Sequence, residues 1–465
     1  MLRAPSLPKR RHSMDFETVL KIVSSLLEKG EISALRSMLL EMNVVDVASI
    51  MEELEPSRRL RLFRILPKDM SADVFSYLES DSQTDLVRMI NDNELETLLD
   101  EMFLDDTVDF LEEVPANVVT RVLQKADPET RALINRFLQY PESSAGSIMT
   151  IEMVILRYDM TAAEAIASIR KNGIDKETVY TCYVTDGKHT LLGAVPLLHL
   201  LLCDENTPVS EIMQDDAQLI SVNTLDDQEQ VAEIVKKYDL LSVPVVDNEK
   251  RLVGIITVDD VVDVIEEEAT EDFEKMAKVQ HSEEGYLKTG VFTHVKNRIA
   301  WLMILMVSAT FTGKLIDHFE GMLAAVSGLT ACIPMLMDTG GNSGNQASTL
   351  IIRGLALGEV KPADILKIIW KEIRIAVLCG LMLGVVNIGR MFLFSGSDNL
   401  RVFLVVSAAL TCAVIVAKLI GCTLPIGAKM IHLDPALMAG PMLTTAVDLI
   451  TLAIYFTLAK AFLMT

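Results

Sequence analysis

The polar residues best suited to chemistry lie in "TGGNSGNQASTLIIRG", residues 339–354, between two strongly apolar stretches of the chain. Six of eight consecutive positions carry neutral hydrogen-bonding side chains: Asn342, Ser343, Asn345, Gln346, Ser348 and Thr349. Such groups are costly to leave unpaired in an apolar medium. They can join helices as small hydrogen-bonding residues, or they can line a wet pathway. Their number in so short a stretch favours the pathway.

Helix-breaking residues accompany these polar positions. The apolar segment that contains them, about 322–356, is longer than one straight membrane span needs. It contains one proline and three glycines, which are Pro334, Gly340, Gly341 and Gly344. These residues predict a helix that is broken or loosened midway. Irregular backbone at membrane depth must be buried in protein or line a wet cavity, so we expect the break to bring neutral oxygens to a hydrated ion.

A later segment, "LDPALMAGPMLTTAVDLITLAIYF", supplies a charge. Asp434 begins it, and Asp448 follows fourteen residues later, about 21 Å along a helix and near the bilayer midplane. Thr444 lies one turn before Asp448 on the same face. A carboxylate inside the membrane is functional by default. The alternative is a structural ion pair between Asp448 and one of three bases nearer the span ends, Lys418, Arg390 and Lys314.

Carboxylate, carbonyl and hydroxyl oxygens favour a hard cation, Mg²⁺ before Zn²⁺ or Cu⁺. Mg²⁺ sheds its water reluctantly, so a sparse set of oxygens can hold it as a hydrated ion. One aspartate per chain is little charge for a divalent ion. A two-fold dimer would bring two Asp448 carboxylates to its axis and match that charge.

Apolar runs divide the second half of the chain into five segments, each long enough to cross about 30 Å of hydrocarbon. They are residues 298–318, 322–356, 364–394, 402–428 and 434–463. Bases before the first segment and between the second and third predict a multi-pass protein of the cell membrane with a cytoplasmic N-terminal half. Residues 291–465 hold 9 acids and 13 bases, whereas residues 1–290 hold 56 acids and 29 bases. The acidic half suits cations and argues against a nucleic-acid partner.

Two patterns precede the membrane segments. Residues 15–140 read as short amphipathic helices with breaks about every 11–13 residues, which predicts a helical repeat. Residues 146–268 contain, twice, a helix, a strand, a turn and a second strand, with the turns at Asp186-Gly187 and Asp247-Asn248. This doubled unit resembles a tandem pair of CBS modules, which generally act as regulatory sensors. The next stretch, "VIEEEATEDFEKMA", is a carboxylate-rich helix whose simplest interpretation is a solvated linker.

The string "PMLMDTGGNSGNQASTLIIRGLALGEV" resembles the signature of the MgtE family of magnesium channels. The resemblance covers residues 15–465. It implies a multidomain membrane protein with an α-helical-repeat N domain, α/β tandem CBS domains, a connecting plug helix and an all-α transmembrane domain of five helices. The expected ranges are a disordered extension 1–14, the N domain 15–142, CBS modules 143–207 and 208–264, the plug 265–296 and the pore domain 297–465.

The resemblance also implies site residues. In the pore they are Asp448, Thr444, Asn345 and Thr349, with Asp434 at the cytoplasmic mouth. In the cytosolic Mg²⁺ sites they are Asp73, Asp105, Asp109, Glu229, Asp239, Asp260, Asp263, Glu268, Glu271 and Asp272. Where family members can place a polar residue before the proline of the fifth segment, this chain has Gly440.

The expected function is therefore a Mg²⁺-selective channel that acts as a homodimer in the lipid bilayer and is closed by cytosolic Mg²⁺. The resemblance also implies ATP as a ligand of the CBS cleft. Two alternatives stay open: a coupled secondary transporter of divalent cations such as Mg²⁺ or Co²⁺, and a membrane-bound metal sensor without transport. We find no nucleophile–base pair, P-loop or HExxH motif, so we do not expect an enzyme.

Overall fold

A computed structural model of the chain describes residues 16–215, 219–280, 286–287, 289–326, 328–394 and 400–464. The chain divides into two compact units, residues 1–265 and 266–465. The first contains the helical repeat and both CBS-like modules, and the second contains the long apolar helices. The expected disordered extension, residues 1–14, lies outside the described residues.

The first unit begins with short helices. Those in its described part are α1 (Phe16–Lys29), α2 (Ile32–Leu39), α3 (Val44–Glu52), α4 (Pro56–Phe63), α5 (Lys68–Ser76), α6 (Ser80–Met89), α7 (Asp92–Glu101), α8 (Leu104–Glu113), α9 (Ala116–Lys125) and α10 (Pro128–Phe137). From α3 to α10, successive helices begin 12 residues apart, which confirms the predicted helical repeat. Each helix buries one apolar stripe against its neighbours, as Leu104, Val108 and Leu111 do in α8.

Residues at the helix starts explain most of the breaks between the short helices. Pro56 and Pro128 occupy the first helical position, where the missing N–H would be unpaired in any residue. Asn91 caps α7 with a capping box that also uses Glu94. The start of α8 has no side-chain cap, and Phe103 stands in the cap position. The sequence pattern gave no break there because no turn residue marks it.

Two small sheets follow. Their elements are β1 (Ile155–Arg157), α11 (Ala162–Asn172), β2 (Thr181–Thr185), β3 (Leu191–Pro196), α12 (Leu197–Leu202), α13 (Val209–Ile212), β4 (Gln214–Asp215), β5 (Val222–Asn223), α14 (Gln228–Tyr238), β6 (Ser242–Val246) and β7 (Leu252–Thr257). The strand orders are β1-β2-β3-β4 and β5-β6-β7. In each sheet a parallel pair adjoins an antiparallel hairpin, β2–β3 or β6–β7. The predicted turns join the strands of these two hairpins.

The two modules are joined by hydrogen bonds between their strands. The hydroxyl groups of Tyr183 and Ser242 lie 2.8 Å apart, both in buried surroundings. Segment 144–150 falls in the range that the sequence assigns to the first module, but it pairs with the second. There the backbones of Thr150 and Ile255 exchange two hydrogen bonds of 2.8 Å. Segment 144–150 therefore extends the strand pairing of the second module.

A 20-residue helix, α15 (Val258–Ala277), begins in the first unit and ends in the second. The later helices are α16 (Val291–His318), α17 (Glu320–Ala325), α18 (Ile333–Ala356), α19 (Ile365–Phe394), α20 (Leu400–Met430) and α21 (Pro441–Leu463). Short 3₁₀ helices, Thr330–Cys332, Pro362–Asp364 and Pro435–Met438, precede α18, α19 and α21. The range predicted for the plug, residues 265–296, contains the end of α15, which stops at Ala277, and the first residues of α16, which starts at Val291.

In the described part of the chain, four helical stretches are long and apolar enough to cross a membrane. They are Val291–His318, Pro362–Phe394, Leu400–Met430 and Pro435–Leu463. They match four of the five predicted segments. The second predicted segment corresponds to α18, which has 24 residues. That is long enough for a span, but its many polar residues make it less apolar than the other four.

The break predicted midway along the second segment, at its glycines, is wrong. α18 is one continuous helix through all three of its central glycines. α17 ends at Ala325 and α18 begins at Ile333, so the helix boundary lies before the glycines. Pro334 occupies the first turn of α18, where its missing N–H removes no helical hydrogen bond. The glycines of α18 instead allow close packing against neighbouring helices.

The predicted 21 Å separation of Asp434 and Asp448 along one helix is also wrong. Asp434 caps the 3₁₀ helix Pro435–Met438, and Gly440 (φ 65°) then turns the chain into α21. Asp448 is therefore the eighth residue of a 23-residue helix, about 10 Å from its start by helical rise. The carboxylate lies roughly a third of the way along α21.

Candidate ion pathway and acidic cluster

Asp448 lies where α21 packs closely against α18. A Cβ atom added to Gly341 of α18 would lie 3.1 Å from Thr444 Cγ2 and 3.8 Å from Asp448 Oδ1. A side chain at this position would fill the space beside the carboxylate, so glycine lets the α18 backbone approach it. The Thr444 hydroxyl donates to the Pro441 carbonyl oxygen at 2.9 Å, which leaves its lone pairs able to accept from water. The structure thus brings Thr444 and Asp448 to one point on α18.

The structural ion pair considered for Asp448 is not formed in the described chain. Asp448 is half-buried. Arg390 donates to the Asn387 side-chain oxygen at 2.9 Å, Lys418 is buried near Cys422, and Lys314 is exposed. No base in the described residues lies within ion-pair distance of Asp448. Its negative charge is therefore available to a mobile cation.

The polar residues of α18 divide between two faces. Ser343 and Ser348 are buried, whereas Asn342, Gln346 and Thr349 are exposed and Asn345 is half-buried. In the described residues the Asn345 Oδ1 atom and both serine hydroxyls are buried without a hydrogen-bond partner. Helix-joining hydrogen bonds from these atoms are thus not formed there.

Asn345 and Thr349 continue the face of α18 that touches Asp448. They follow Gly341 by four and eight residues, which places them one and two turns further along the same side of the helix. The distance from Gly341 to Thr349 along the helix is about 12 Å. Thr444 and Asp448 meet this face at Gly341, and two further polar side chains follow along it.

Asp434, the residue expected at the cytoplasmic mouth, is paired with a lysine of α15. Lys275 Nζ lies 2.7 Å from Asp434 Oδ2 and 2.7 Å from Glu271 Oε1. Although burial opposes a charged lysine, these two hydrogen bonds raise the pKa of Lys275. Asp272 lies near Asp434 as well. Burial, and after it the negative charge of Asp434, raise the pKa of the Asp272 carboxyl group. The end of α15 and the loop before α21 thus form one charged site.

Backbone contacts hold α15 on the same loop. The Lys278 ammonium donates to the Leu437 carbonyl oxygen and lies 5.1 Å from the centroid of the Trp301 ring. Gly440 adopts a positive φ of 65°, and a Cβ atom there would collide with the Met276 carbonyl oxygen. Glycine is therefore required at 440 both for conformation and for space. This explains why this chain has glycine at 440, where other family members can place a polar residue.

Carboxylates of the helical repeat and the CBS modules converge within the first unit. The negative charge of Asp260 acts on three aspartates of α8, which are Asp105, Asp106 and Asp109. Glu177, which lies between α11 and β2, feels the charges of Asp106 and Asp260. Burial is the largest cause that raises the pKa of these carboxyl groups, followed by their mutual repulsion, except at Asp106, where a side-chain hydrogen bond from Ser76 ranks second and lowers it. For Asp109 and Glu177 the pKa reaches about 7.

Asp105 shows that the cluster lacks a positive partner. Its Oδ1 atom is buried without a hydrogen-bond partner among the described residues, and burial raises its pKa well above the usual range. Asp73 belongs to the same acidic cluster, since its negative charge acts on Asp106. A buried carboxylate in this situation binds either a proton or a cation. The oxygen-only donor set fits a hard divalent ion such as Mg²⁺.

The other predicted regulatory acids are distributed more widely. Asp263 acts on Asp260 in the first unit, and Glu268 acts on Asp272 in the second. Glu229 and Asp239 lie at opposite ends of α14, about 15 Å apart along its axis. The structure does not bring these last two together.

In the described parts of the chain, no three His, Cys, Asp or Glu side chains are arranged to hold a metal ion directly. The pathway and the acidic cluster therefore attract cations through their charge. Coordination has to be completed by water, by side-chain movement or by a second chain.

Comparison with known proteins gives a consistent result along the chain. A family model described as a divalent cation transporter matches residues 333–458. The models of the MgtE intracellular N domain and the CBS domain match residues 42–143 and 209–267. The magnesium transporter MgtE of Thermus thermophilus is 37% identical over 441 residues, which cover 94% of this chain and 97% of that protein. The chain belongs to the MgtE family of magnesium transporters.

Other MgtE relatives and structures agree with this assignment. The magnesium transporter MgtE of Bacillus subtilis is 30% identical over 451 residues, covering 96% of this chain and 98% of that protein. The crystal structure of the soluble part of a magnesium transporter is 30% identical, with a TM-score of 0.52, and covers 55% of this chain and 100% of its own. The cytosolic domain of the Mg²⁺ channel MgtE in complex with ATP is 37% identical, with a TM-score of 0.50, and covers 53% and 99%.

Sequence reasoning missed several candidate residues of this MgtE chain: Asp106, Glu152, Glu177, Lys275 and Asp338. The two glutamates lie in the first CBS module, where no motif marks them, yet their charges act within the acidic cluster. Lys275 follows Glu271 by four residues, an ion-pair spacing that could have revealed it. Its contact with the loop before α21 depends on the tertiary structure and leaves no sequence signal.

Proposed function

We propose that this MgtE protein is a Mg²⁺-selective channel that imports magnesium as a homodimer and is closed by Mg²⁺ on its cytosolic side. The observation that carries the proposal is Asp448, a carboxylate on an apolar helix with no basic partner in the described chain, packed at Gly341 of α18. Such a charge attracts cations and repels anions. The proposed pore positions are Asp448, Thr444, Asn345, Thr349 and Asp434.

The exposed polar face of α18 supports a homodimer. In one chain Asn342, Gln346 and Thr349 are exposed, and in lipid they would lose their hydrogen bonds. A two-fold axis beside this face would enclose a wet pathway between two copies. Two Asp448 carboxylates would then match the charge of one divalent ion.

Selectivity for Mg²⁺ follows from the kind and number of ligands. The pathway offers carboxylate, hydroxyl and amide oxygens, which hard cations prefer. Few of them are available, so the ion keeps most of its water and the protein contacts that water. Larger cations that lose water more easily would be held less well by oxygens spaced for a hydrated Mg²⁺ ion.

Closure by cytosolic Mg²⁺ is supported by the acidic cluster and by α15. The proposed regulatory carboxylates are Asp73, Asp105, Asp106, Asp109, Glu177, Glu229, Asp239, Asp260, Asp263, Glu268, Glu271 and Asp272. At low Mg²⁺ the carboxylates of the acidic cluster repel one another; burial first, and this repulsion second, raise the pKa of Asp109 and Glu177 to about 7. Bound Mg²⁺ cancels this repulsion and favours the compact, closed state by mass action. The ion that enters thus closes its own pathway, with the N-terminal half in the cytoplasm.

The alternatives use the same residues differently. A broken helix at the membrane midplane would also permit a coupled transporter, but α18 is continuous. A metal sensor without transport gives no reason for the polar face of α18 or for Asp448. ATP as a ligand of the CBS pair is supported by the ATP complex of the 37% identical cytosolic domain.

Ion flux into proteoliposomes that contain the purified full chain tests the proposal. Asp448→Ala should abolish Mg²⁺ uptake and leave a folded dimer, because a lone buried charge contributes little stability. Asp448→Glu keeps the charge on a longer arm and should retain part of the flux. Glu359→Gln, which removes an exposed acid after α18, is the matched control. Wild-type uptake by Asp448→Ala would refute the assignment.

A further inference from the structure

We propose that Asp338 is a second cation-binding carboxylate of the pathway, placed on the outer side of Asp448, where it receives a hydrated divalent cation. This inference rests on the proposed channel function. Asp338 lies on α18, one turn before Gly341, the residue at which Asp448 packs. By helical rise the two levels are about 5 Å apart.

Asp338 begins the polar face of α18. Asn342, Asn345 and Thr349 follow it by four, seven and eleven residues, a spacing that keeps all of them on one side of a helix. Asp338, Asn342 and Thr349 are exposed in the single chain, and Asn345 is half-buried. A carboxylate on this face therefore needs the same wet environment as the neutral oxygens that follow it.

The packing of α18 against α21 places Asp338 beyond Asp448. Gly340 of α18 lies against Thr451, whereas Gly344 lies against Leu443 and Val447. The two helices are thus antiparallel, and moving toward the start of α18 means moving toward the end of α21. Asp338 lies on the side of Asp448 that faces away from the loop at Asp434. With a cytosolic N-terminal half and α18 crossing the membrane, this is the outer side.

The charge of Asp338 is not compensated by a base. Asn342 Nδ2 donates to Asp338 Oδ1 at 3.0 Å, which holds the carboxylate on the polar face. Its negative charge acts on Asp448. In the described chain neither carboxylate has an ion-pair partner. Two interacting carboxylates among apolar helices bind a proton or a cation.

Asn345 gives an independent indication of a ligand. Its Oδ1 atom is fully buried and accepts no hydrogen bond from the described residues. An amide oxygen needs a donor or a cation, and the water shell of Mg²⁺ provides donors. The oxygen lies two turns further along the same face as Asp338. The face therefore offers acceptors along its length, which suits a hydrated cation and excludes an anion.

The position of Asp338 in α18 does not fit a role in capping the helix or in stabilising its dipole. Acidic residues stabilise helices within the first turn, where they cap or complement the helix dipole. α18 begins at Ile333, and Asp338 is its sixth residue. Its hydrogen bond partner is a side chain and not a backbone N–H of the first turn.

The test compares Asp338→Asn, Asp338→Glu and the control Asp317→Asn in proteoliposomes. Asp317 is an exposed acid near the end of α16, away from the polar face. Asp338→Asn should raise the external Mg²⁺ concentration for half-maximal uptake roughly tenfold, because one unit charge near a divalent ion is lost. The maximal rate should change by less than about twofold. Asp338→Glu and Asp317→Asn should both stay near wild type.

A second readout does not depend on transport. Titration of the full chain with Mn²⁺, followed by electron paramagnetic resonance, should show one class of sites weakened by Asp338→Asn and unchanged by Asp317→Asn. If wild type carries no flux but shows this difference, the channel proposal fails and the site stands. Equal Mg²⁺ dependence and equal Mn²⁺ binding in the two Asn variants would overturn the site. Loss of the dimer in both Asp338 variants would also overturn it in favour of a structural role.

Discussion

The candidate ion pathway and the acidic cluster would bind one ion through opposite chemistry. The pathway has few carboxylates, and neutral oxygens follow them along one face of α18. The cluster crowds Asp105, Asp106, Asp109 and Asp260 together until burial and repulsion raise their pKa values. A conducting site must release its ion, so it benefits from sparse contacts with a hydrated ion. A sensing site must bind when the ion is abundant, and dense negative charge achieves that.

The largest expected effect on closure comes from neutralising four acids of α15. Neutralising Asp263, Glu268, Glu271 and Asp272 to Asn or Gln removes both repulsion and bridging. The Mg²⁺ dependence of closure should become shallower, with half-closure at roughly tenfold higher Mg²⁺. Flux into proteoliposomes at varied lumenal Mg²⁺ measures this. Deleting residues 1–130 should likewise leave a conducting pathway with weakened inhibition.

The matched control neutralises Glu96, Asp100 and Glu101, exposed acids of α7 for which the structure suggests no role in the cluster. Its inhibition curve should coincide with that of wild type. An unshifted curve in the variant of the α15 acids would show that these carboxylates only solvate the surface.

A smaller effect is expected from pH. The pKa of Asp109 and Glu177 is about 7 in the folded chain, against about 4 in an unfolded one. The folded state therefore keeps protons that the unfolded chain releases, and its stability falls as pH rises from about 4 to about 7. Without divalent ions, the unfolding temperature should be a few degrees lower at about pH 8 than at about pH 5. Saturating Mg²⁺ should remove this difference.

The double variant Asp109→Asn, Glu177→Gln serves as the control for the pH effect. In a chelator its unfolding temperature should depend less on pH than that of wild type, because the two groups with a pKa of about 7 are removed. Wild type that shows no pH dependence in the chelator would contradict a repulsive cluster.

The smallest effect is expected in the pathway oxygens. Asn345→Ala and Thr349→Ala each remove one contact with the ion's water and leave Asp448 in place. Conduction should persist, while the preference for Mg²⁺ over Ca²⁺ should fall several-fold. Competition between the two ions during uptake measures this, with Leu350→Ala as the control on an exposed apolar position of α18. Unchanged competition in both polar variants would favour a helix-joining role.

Features with local causes were predictable from the sequence. The 12-residue helical repeat is marked by prolines and capping residues such as Pro56, Asn91 and Pro128. The CBS hairpins are marked by their Asp-containing turns, and four spans by continuous apolar runs. In each case the residues that fix the element lie within it.

Features that depend on a distant partner were not predictable. A glycine that breaks a helix and a glycine that allows close approach of a neighbouring helix look alike in sequence, so the sequence predicts Gly341 as part of a break. Its purpose is visible only with Thr444 and Asp448 beside it. The pairing of Lys275 with Asp434 and the approach of Glu177 to Asp260 likewise join residues far apart in the chain.

The most direct test is current recording from the purified full chain in a planar bilayer, with Mg²⁺ varied on the cytosolic side alone. The account predicts a current whose reversal potential follows the Mg²⁺ gradient and which closes as cytosolic Mg²⁺ rises. A reversal potential that shifts with a proton or Na⁺ gradient, or a current that ignores cytosolic Mg²⁺, would contradict it.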